Sequence, residues 1–165
     1  MTAGTPGLHP ARPGDSEVLF RIYASTRAAE FAAMPWDEAT LEAFLRSQFA
    51  AQDAHYRSAY PDASYDLIVA GREILGRLYV DRTDRAWHVL DIALLPEHRG
   101  QGLGTALLTR LIAEAGAAAK PVQLYVERFN PAQRLYARLG FRPLADEGVY
   151  LLLERPLDVA REPAG

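Results

Sequence analysis

A run of glycines past the middle of the chain carries the clearest chemical signal in the sequence. Gly100, Gly102 and Gly104 alternate with other residues, after an apolar segment and directly before an amphipathic one. Glycines leave backbone N–H groups unshielded, and a helix N-terminus carries about half a positive charge, so the pattern suits an anionic phosphate. Arg99, just before the run, can add a charge-assisted contact. The sequence therefore predicts a phosphate site here, and the alternative is a plain turn that needs positive φ.

Two common phosphate motifs differ from this run. A P-loop has a lysine followed by Ser or Thr after its last glycine, whereas Gly102 is followed by Leu103, Gly104 and Thr105. A dinucleotide fingerprint needs glycine at its sixth position, where this sequence has Thr105. Glu127, about one strand further on, could supply a ribose-binding acid, so a Rossmann-type dehydrogenase stays open as a weaker alternative.

The elements that must position these residues follow from hydrophobic periodicity and from turn residues. The pattern predicts one mixed α/β domain, in which helices alternate with short strands. The predicted elements are a strand near Leu8–Arg12, a helix capped by Asp15, a helix capped by Asp37 that ends near Tyr60-Pro61, strands at Tyr65–Ala70, Glu73–Val80 and Trp87–Leu95, a helix over Gly102–Ala118, a strand over Val122–Val126, a helix that Asn130-Pro131 opens and Gly140 stops, and a hairpin of Phe141–Leu144 and Val149–Leu153.

Composition bounds the class of protein. The 165 residues are 49% apolar and 24% charged, which predicts a single globular domain over 1–165, with a loose leader over 1–13. No cysteine is present, which excludes disulfides, zinc-thiolate sites and cysteine nucleophiles. A net charge of −3 disfavours nucleic-acid binding, and no apolar run approaches the roughly 18–20 residues of a membrane span. No secretory signal is visible, so the cytoplasm is the predicted compartment.

Two segments resemble a known family. The pattern Arg99-x-x-Gly102-x-Gly104 resembles the acyl-CoA loop, Q/R-x-x-G-x-G/A, of the GNAT superfamily of N-acetyltransferases. Downstream, residues 130–141 (NPAQRLYARLGF) resemble the Asn…Leu-Tyr…Leu-Gly-Phe segment of that family, although family members often carry one more residue between the Asn and the Tyr. The resemblance covers residues 87–153, and the preceding part of the chain matches in element order only.

The resemblance implies a fold and a cosubstrate. The fold would be α/β (an α+β mixed sheet), with a mostly antiparallel central sheet, one splayed parallel strand pair and about four helices. Residues 87–153 would form the acyl-CoA-binding and catalytic core, with acetyl-CoA as cosubstrate and no metal. The implied cofactor-binding residues are Ile92, Leu94, Arg99, Gly100, Gln101, Gly102, Leu103, Gly104, Thr105 and Asn130.

The resemblance also implies catalytic roles. Tyr136 would lie near the thioester sulfur as general acid. Because the pKa of a phenol is about 10 and that of a thiol about 8.5, we expect Tyr136 to act largely as a hydrogen-bond donor. The candidates for the general base are, in order, His88, Glu127 and Asp91. A packing or solvated role explains the presence of His88 equally well.

The resulting prediction is an N-acetyltransferase that moves an acetyl group from acetyl-CoA to a primary amine by direct attack in a ternary complex. The alternative is a non-catalytic acyl-CoA sensor that keeps the loop. The predicted partner is a small-molecule or peptide amine acceptor, with no nucleic acid and no membrane, and a homodimer stays open. The four histidines lack metal-ligand spacing. Four aromatic residues near the end of the second helix are predicted either to line an acceptor pocket or to pack in the core or on the surface: His55, Tyr56, Tyr60 and Tyr65.

Overall fold

The computed structural model describes residues 6–158. This part of the chain contains four α-helices and seven strands. In order they are β1 (Gly7–Pro10), α1 (Ser16–Phe31), α2 (Glu38–Ala59), β2 (Ser64–Ala70), β3 (Glu73–Arg82), β4 (Trp87–Leu94), α3 (Leu103–Ala117), β5 (Val122–Glu127), α4 (Gln133–Arg138), β6 (Arg142–Glu147) and β7 (Tyr150–Arg155).

The strands form a seven-stranded sheet in the order β1-β2-β3-β4-β5-β7-β6. Strand β2 is antiparallel to both β1 and β3, and β7 is antiparallel to both β5 and β6. Strands β4 and β5 are parallel, with residues 87–89 opposite residues 122–124, and β4 then continues to Leu94. The predicted mixed sheet with one parallel pair and four helices is confirmed.

The chain forms two compact units. Residues up to Asp81 and Asp91–Leu103 make the first, and Arg82–Leu90 with the residues from Gly104 onward make the second. The single domain over 1–165 stays a prediction. Of the predicted leader, residues 1–5 lie outside the described residues, and the strand expected near 8–12 is found as β1.

In the first unit, α1 and α2 share an apolar core. Its buried members, Phe20, Tyr23 and Leu45, pack with partly buried aromatic and aliphatic side chains of both helices. The predicted cap of α2 is confirmed, because the Asp37 carboxylate accepts a hydrogen bond from the Thr40 N–H at 2.7 Å. Asp15 occupies the predicted N-cap position of α1, but its carboxylate does not bond to the helix and instead accepts from the backbone N–H of Arg12 at 2.8 Å, across the 3-10 turn that precedes the helix.

Gly76 in β3 marks a close approach of backbone to backbone. A Cβ built on Gly76 would overlap the carbonyl oxygen of Ala93 in β4, so only glycine fits this position. The Leu95 N–H donates to the Leu75 carbonyl at 2.8 Å, just past the end of β4. Strand β3 therefore holds the end of β4, from which the glycine loop departs.

In the second unit, the buried apolar side chains come mainly from α3 and β5. Those of α3 and β5 are Leu107, Leu108, Leu111, Ala115, Val122, Leu124 and Val126, and Ala86, Val89, Phe141 and Leu153 are buried as well. Gly140 has φ +92°, which confirms the predicted left-handed stop after α4. Helix α4 begins at Gln133 and not at Asn130-Pro131, since residues 130–132 form a turn. The closing hairpin is present, although its strands run to Glu147 and Arg155, further than expected.

Candidate active site

The glycine loop joins β4 to α3 in an open conformation. A 3-10 turn over Pro96–His98 is followed by Gly100 at φ +73° and Gly102 at φ +79°, both in the left-handed region that favours glycine. A Cβ at either position would meet no atom within 4 Å, so the backbone there faces open space. Within residues 6–158, the backbone N–H groups of Gly100, Gln101 and Gly102 donate no hydrogen bond.

The start of α3 adds further donors to the loop. Helix α3 begins at Leu103, so the first N–H groups of its 15 residues have no carbonyl partner within the helix. Gly104 and Thr105 lie in this first turn, and a Cβ on Gly104 would also meet nothing within 4 Å. The loop and the helix start together provide unshielded N–H groups at the positive end of a helix, which is what an anionic phosphate requires.

Arg99 is held at the edge of the loop by two contacts. Its Nε donates to the Leu94 carbonyl at 2.9 Å, and its Nη2 donates to the Ser25 hydroxyl of α1 at 3.3 Å. A guanidinium has five N–H donors, so these bonds leave others for a ligand. Leu94, one of the cofactor-binding residues that the resemblance implies, thus has its carbonyl bonded to Arg99, and Ile92, another of them, lies half-buried two residues earlier.

Asp91, the third candidate base, forms an ion pair with a buried arginine. Its carboxylate accepts from Nε of Arg77, whose side chain is only 3% exposed and whose Nη2 donates to the Gln52 amide oxygen of α2 at 3.0 Å. Burial raises the pKa of the Asp91 carboxyl above its ordinary value, and the Arg77 guanidinium opposes that rise. Because the Asp91 carboxylate is bonded to a buried arginine, its main role is structural. Asp91 therefore stays last among the candidate bases.

We expect Asp91→Asn to lower the free energy of unfolding by roughly 1–3 kcal/mol, because it leaves the buried Arg77 without its counter-charge. For a chain of this length, that is a fall in Tm of about 2–10 °C, measured by circular dichroism. Asp62→Asn is the matched control, because Asp62 is exposed and has no such ion pair within the described residues. Equal Tm values for the two variants would contradict the structural role of Asp91.

His88 and Glu127, the other candidate bases, belong to the second unit. His88 is half-buried in β4, opposite Gln123 in the parallel register. Glu127 is the exposed last residue of β5, and its carbonyl accepts from the Gln133 side-chain amide at 3.0 Å. Since Gln133 is the first residue of α4, this bond ties the end of β5 to the start of that helix.

Tyr136 lies in the middle of α4, half-buried. Its ring meets the Phe141 ring edge-on, with centroids 5.8 Å apart, and its carbonyl accepts from the Phe141 N–H at 3.0 Å. These contacts involve the ring and the backbone of Tyr136. Asn130 has a local partner instead: its side-chain oxygen accepts from the Ala132 N–H at 2.8 Å, which forms the turn before α4.

The aromatic group at the end of α2 is well packed. The Tyr65 hydroxyl lies 2.8 Å from the Tyr56 carbonyl and 2.7 Å from the Tyr60 carbonyl, so it ties β2 to the end of α2. The Tyr56 and Tyr65 rings both pack edge-on against Tyr79 of β3. Burial, aided by the charge of the nearby Asp91 carboxylate, raises the pKa of the Tyr56 phenol, which keeps it neutral. The contacts favour packing over an acceptor pocket for these residues, while His55 is exposed.

Two features were not identified from the sequence. One is Gln133, whose side-chain amide also donates to the Arg128 carbonyl and so anchors the loop before α4. The other is the Arg77–Asp91 pair; a lone charged residue inside each of two apolar strands was the available signal. Within residues 6–158, no group of three or more acidic or histidine side chains could hold a metal ion, and no helix is long and apolar enough to cross a membrane.

Comparisons with known proteins agree with this arrangement. A model of the acetyltransferase (GNAT) domain matches residues 63–143, which include the glycine loop and α4. An acetyltransferase from Thermus thermophilus is 26% identical, with a TM-score of 0.69, and the match covers 95% of this chain and all of that one. The match extends beyond the loop to almost the whole chain.

Two further solved structures share the fold at lower identity. The PaiA N-acetyltransferase from Thermoplasma acidophilum, solved in complex with coenzyme A, is 17% identical with a TM-score of 0.69, and the match covers 92% of this chain and 98% of that one. The histone acetyltransferase HPA2 and related acetyltransferase from Corynebacterium glutamicum is 24% identical with a TM-score of 0.66, over 96% of this chain and 99% of that one. By sequence motif, domain model and fold, the chain belongs to the GNAT superfamily of acetyltransferases.

Proposed function

We propose that this protein is an N-acetyltransferase that uses acetyl-CoA and acetylates a primary amine by direct attack in a ternary complex. The observation that carries the proposal is the loop over residues 99–104, with two left-handed glycines and unengaged N–H groups at the start of α3. Such a loop suits the pyrophosphate of coenzyme A. The proposal is further supported by a relative of the same fold that was solved with coenzyme A bound.

Acetyl transfer requires a neutral amine, a polarised thioester carbonyl and a stabilised leaving thiolate. The neutral amine nitrogen attacks the thioester carbonyl carbon, the C–S bond breaks, the thiolate leaves, and the amine loses one proton. In our proposal, Tyr136 donates a hydrogen bond to the sulfur as negative charge develops there. His88 is the first choice to accept the amine proton and Glu127, through a water molecule, is the second.

The acceptor is expected to be an amine of low pKa, because no strong base stands out among the candidates. An α-amine with a pKa of about 8 needs roughly 1 kcal/mol to be neutral at pH 7, whereas an alkyl amine near 10.4 needs roughly 5. We therefore expect kcat/KM at pH 7 to be at least about 10-fold higher for α-amines of peptides or amino acids than for alkyl amines of similar size. Raising the pH to 9 should narrow the gap, because the neutral fraction of the alkyl amine rises more steeply.

A coupled assay of thiol release over a panel of amines tests both the activity and the acceptor class. Alkyl diamines that outrun peptides of similar size at pH 7 would contradict the low-pKa acceptor. Tight binding of acetyl-CoA with no acetyl transfer to any amine would instead favour the alternative, a non-catalytic acyl-CoA sensor. This alternative stays open because His88 stands eleven residues before Arg99, a spacing at which histone-acetylating members of the family carry a glutamate.

A further inference from the structure

Helix α4, which carries Tyr136, is too short to be stable on its own. It has six residues, Gln133–Arg138, and isolated helices of fewer than about 12–15 residues are marginal in water. Its N-cap residue, Ala132, makes no side-chain cap hydrogen bond. The orientation of α4, and with it the position of the Tyr136 side chain, therefore depends on contacts with the rest of the second unit.

The side chain of Gln133 supplies such a contact at the N-terminal end of α4. Its amide nitrogen donates to the carbonyl of Glu127, the last residue of β5, at 3.0 Å, and also to the carbonyl of Arg128. Gln133 is half-buried, and a primary amide has two N–H donors, one for each carbonyl. The first turn of α4 is thus bonded directly to the end of β5, across the loop of residues 128–132.

Separate contacts hold the C-terminal end of α4. Nε of Arg155 in β7 donates to the Leu139 carbonyl at 3.0 Å. Phe141, past the end of the helix, is buried and meets the Tyr136 ring edge-on. Since Leu139 and Phe141 both follow Tyr136 in the chain, these contacts do not fix the first turn of α4. That turn is the part of the helix that Gln133 bonds to β5.

We infer that Gln133 is a positioning residue for acetyl transfer, which sets the place of the Tyr136 hydroxyl by bonding the start of α4 to the end of β5. Tyr136 lies three residues after Gln133, or about 4.5 Å along the helix axis, so a shift of the first turn moves Tyr136 as well. A misplacement of about 1 Å at a reacting group can lower a rate about 100-fold. The inference rests on the proposed function, because Gln133 acts only through the Tyr136 hydroxyl.

Gln133→Met tests the inference, because methionine is similar in length and helix propensity to glutamine but has no N–H donor. We expect kcat to fall roughly 5- to 50-fold, while acetyl-CoA affinity, measured by calorimetry, changes less than about 3-fold. Gln133→Glu, which has the shape of glutamine but no N–H donor at neutral pH, is a second variant and should show the same loss. Gln48→Met makes the matched change at an exposed position of α2 and should leave kcat unchanged.

A double-mutant cycle separates positioning from a general effect on the structure. In the Tyr136→Phe background the hydroxyl is already absent, so Gln133→Met should lower kcat there by less than about 2-fold. Equal fold losses in the two backgrounds would make Gln133 a purely structural residue and overturn the inference. An unchanged kcat for Gln133→Met in the enzyme that keeps Tyr136 would also overturn it. In both cases the acetyl transfer itself would stand.

NMR of protein labelled in its tyrosine rings gives a readout that does not depend on turnover. The Tyr136 ring resonances, which sense the Phe141 ring 5.8 Å away, should shift in Gln133→Met and stay in place in Gln48→Met. Such a shift in a protein that acetylates no amine would support the positioning and refute the proposed function. Tyr136 resonances of a folded Gln133→Met protein that match the wild type would overturn the inference, whatever the activity.

Discussion

Gly102→Asp is expected to weaken acetyl-CoA binding at least about 100-fold while the protein stays folded. The backbone at Gly102 has φ +79°, and a Cβ there would meet no atom within 4 Å, so the fold tolerates a side chain apart from a cost of about 1 kcal/mol for the left-handed conformation. The new carboxylate would lie where the pyrophosphate is proposed to bind, and like charges placed together cost several kcal/mol. Calorimetric titration with acetyl-CoA measures the loss.

Two control variants separate the effect of the charge at position 102 from the effects of added charge elsewhere and of added side-chain volume. Gly71→Asp adds the same charge at φ +61° in an exposed turn of the same unit, also with no atom within 4 Å, and should bind acetyl-CoA like the wild type. Gly102→Asn adds a side chain of the same size without charge and should lose much less affinity than Gly102→Asp. A folded Gly102→Asp protein with wild-type affinity would refute the assignment of the loop.

Tyr136→Phe is expected to reduce kcat roughly 10- to 1000-fold. If the hydroxyl stabilises the departing thiolate, the interaction strengthens as charge develops and belongs to the transition state. The range runs from a modest general-acid contribution to the loss of one well-placed oxyanion-type donor. The edge-on contact with Phe141 uses the ring and survives the substitution, so Tm and acetyl-CoA affinity should change little.

Direct binding must accompany the kinetics, because KM equals the dissociation constant only when chemistry is slow. Tyr23→Phe is the control, since it removes another tyrosine hydroxyl, one that accepts from Arg27 on α1, and should leave kcat unchanged. Wild-type turnover of Tyr136→Phe, with chemistry shown to limit the rate, would make Tyr136 a packing residue and refute its proposed role.

Local patterns in the sequence determined the elements on which the candidate site is built. The glycine loop was predictable because each of its requirements is local: an apolar strand, positive-φ glycines and an amphipathic helix follow one another within about thirty residues. The Asp37 cap and the Gly140 stop were predictable for the same reason, because each acts on residues one helical turn away. Helix α4 begins later than expected because the Asn130 side chain accepts a hydrogen bond from the Ala132 N–H, which forms a turn in place of the first helical residues.

Tertiary structure alone decided which distant residues meet. Arg77 and Asp91 are 14 residues apart, and nothing in the periodicity of either strand indicated that their charges neutralise each other beside Gln52. The residues of β5 and β6 that lie opposite β7 depend on the register of three strands, and a slip of one residue in β7 would move Tyr150 to the other face. Periodicity specifies which face of an element is apolar, but pairing between elements depends on how their side chains pack in three dimensions. The sequence by itself therefore determined the fold family and the glycine loop, and the tertiary structure decided the ion pair of Arg77 with Asp91 and the register of the strands.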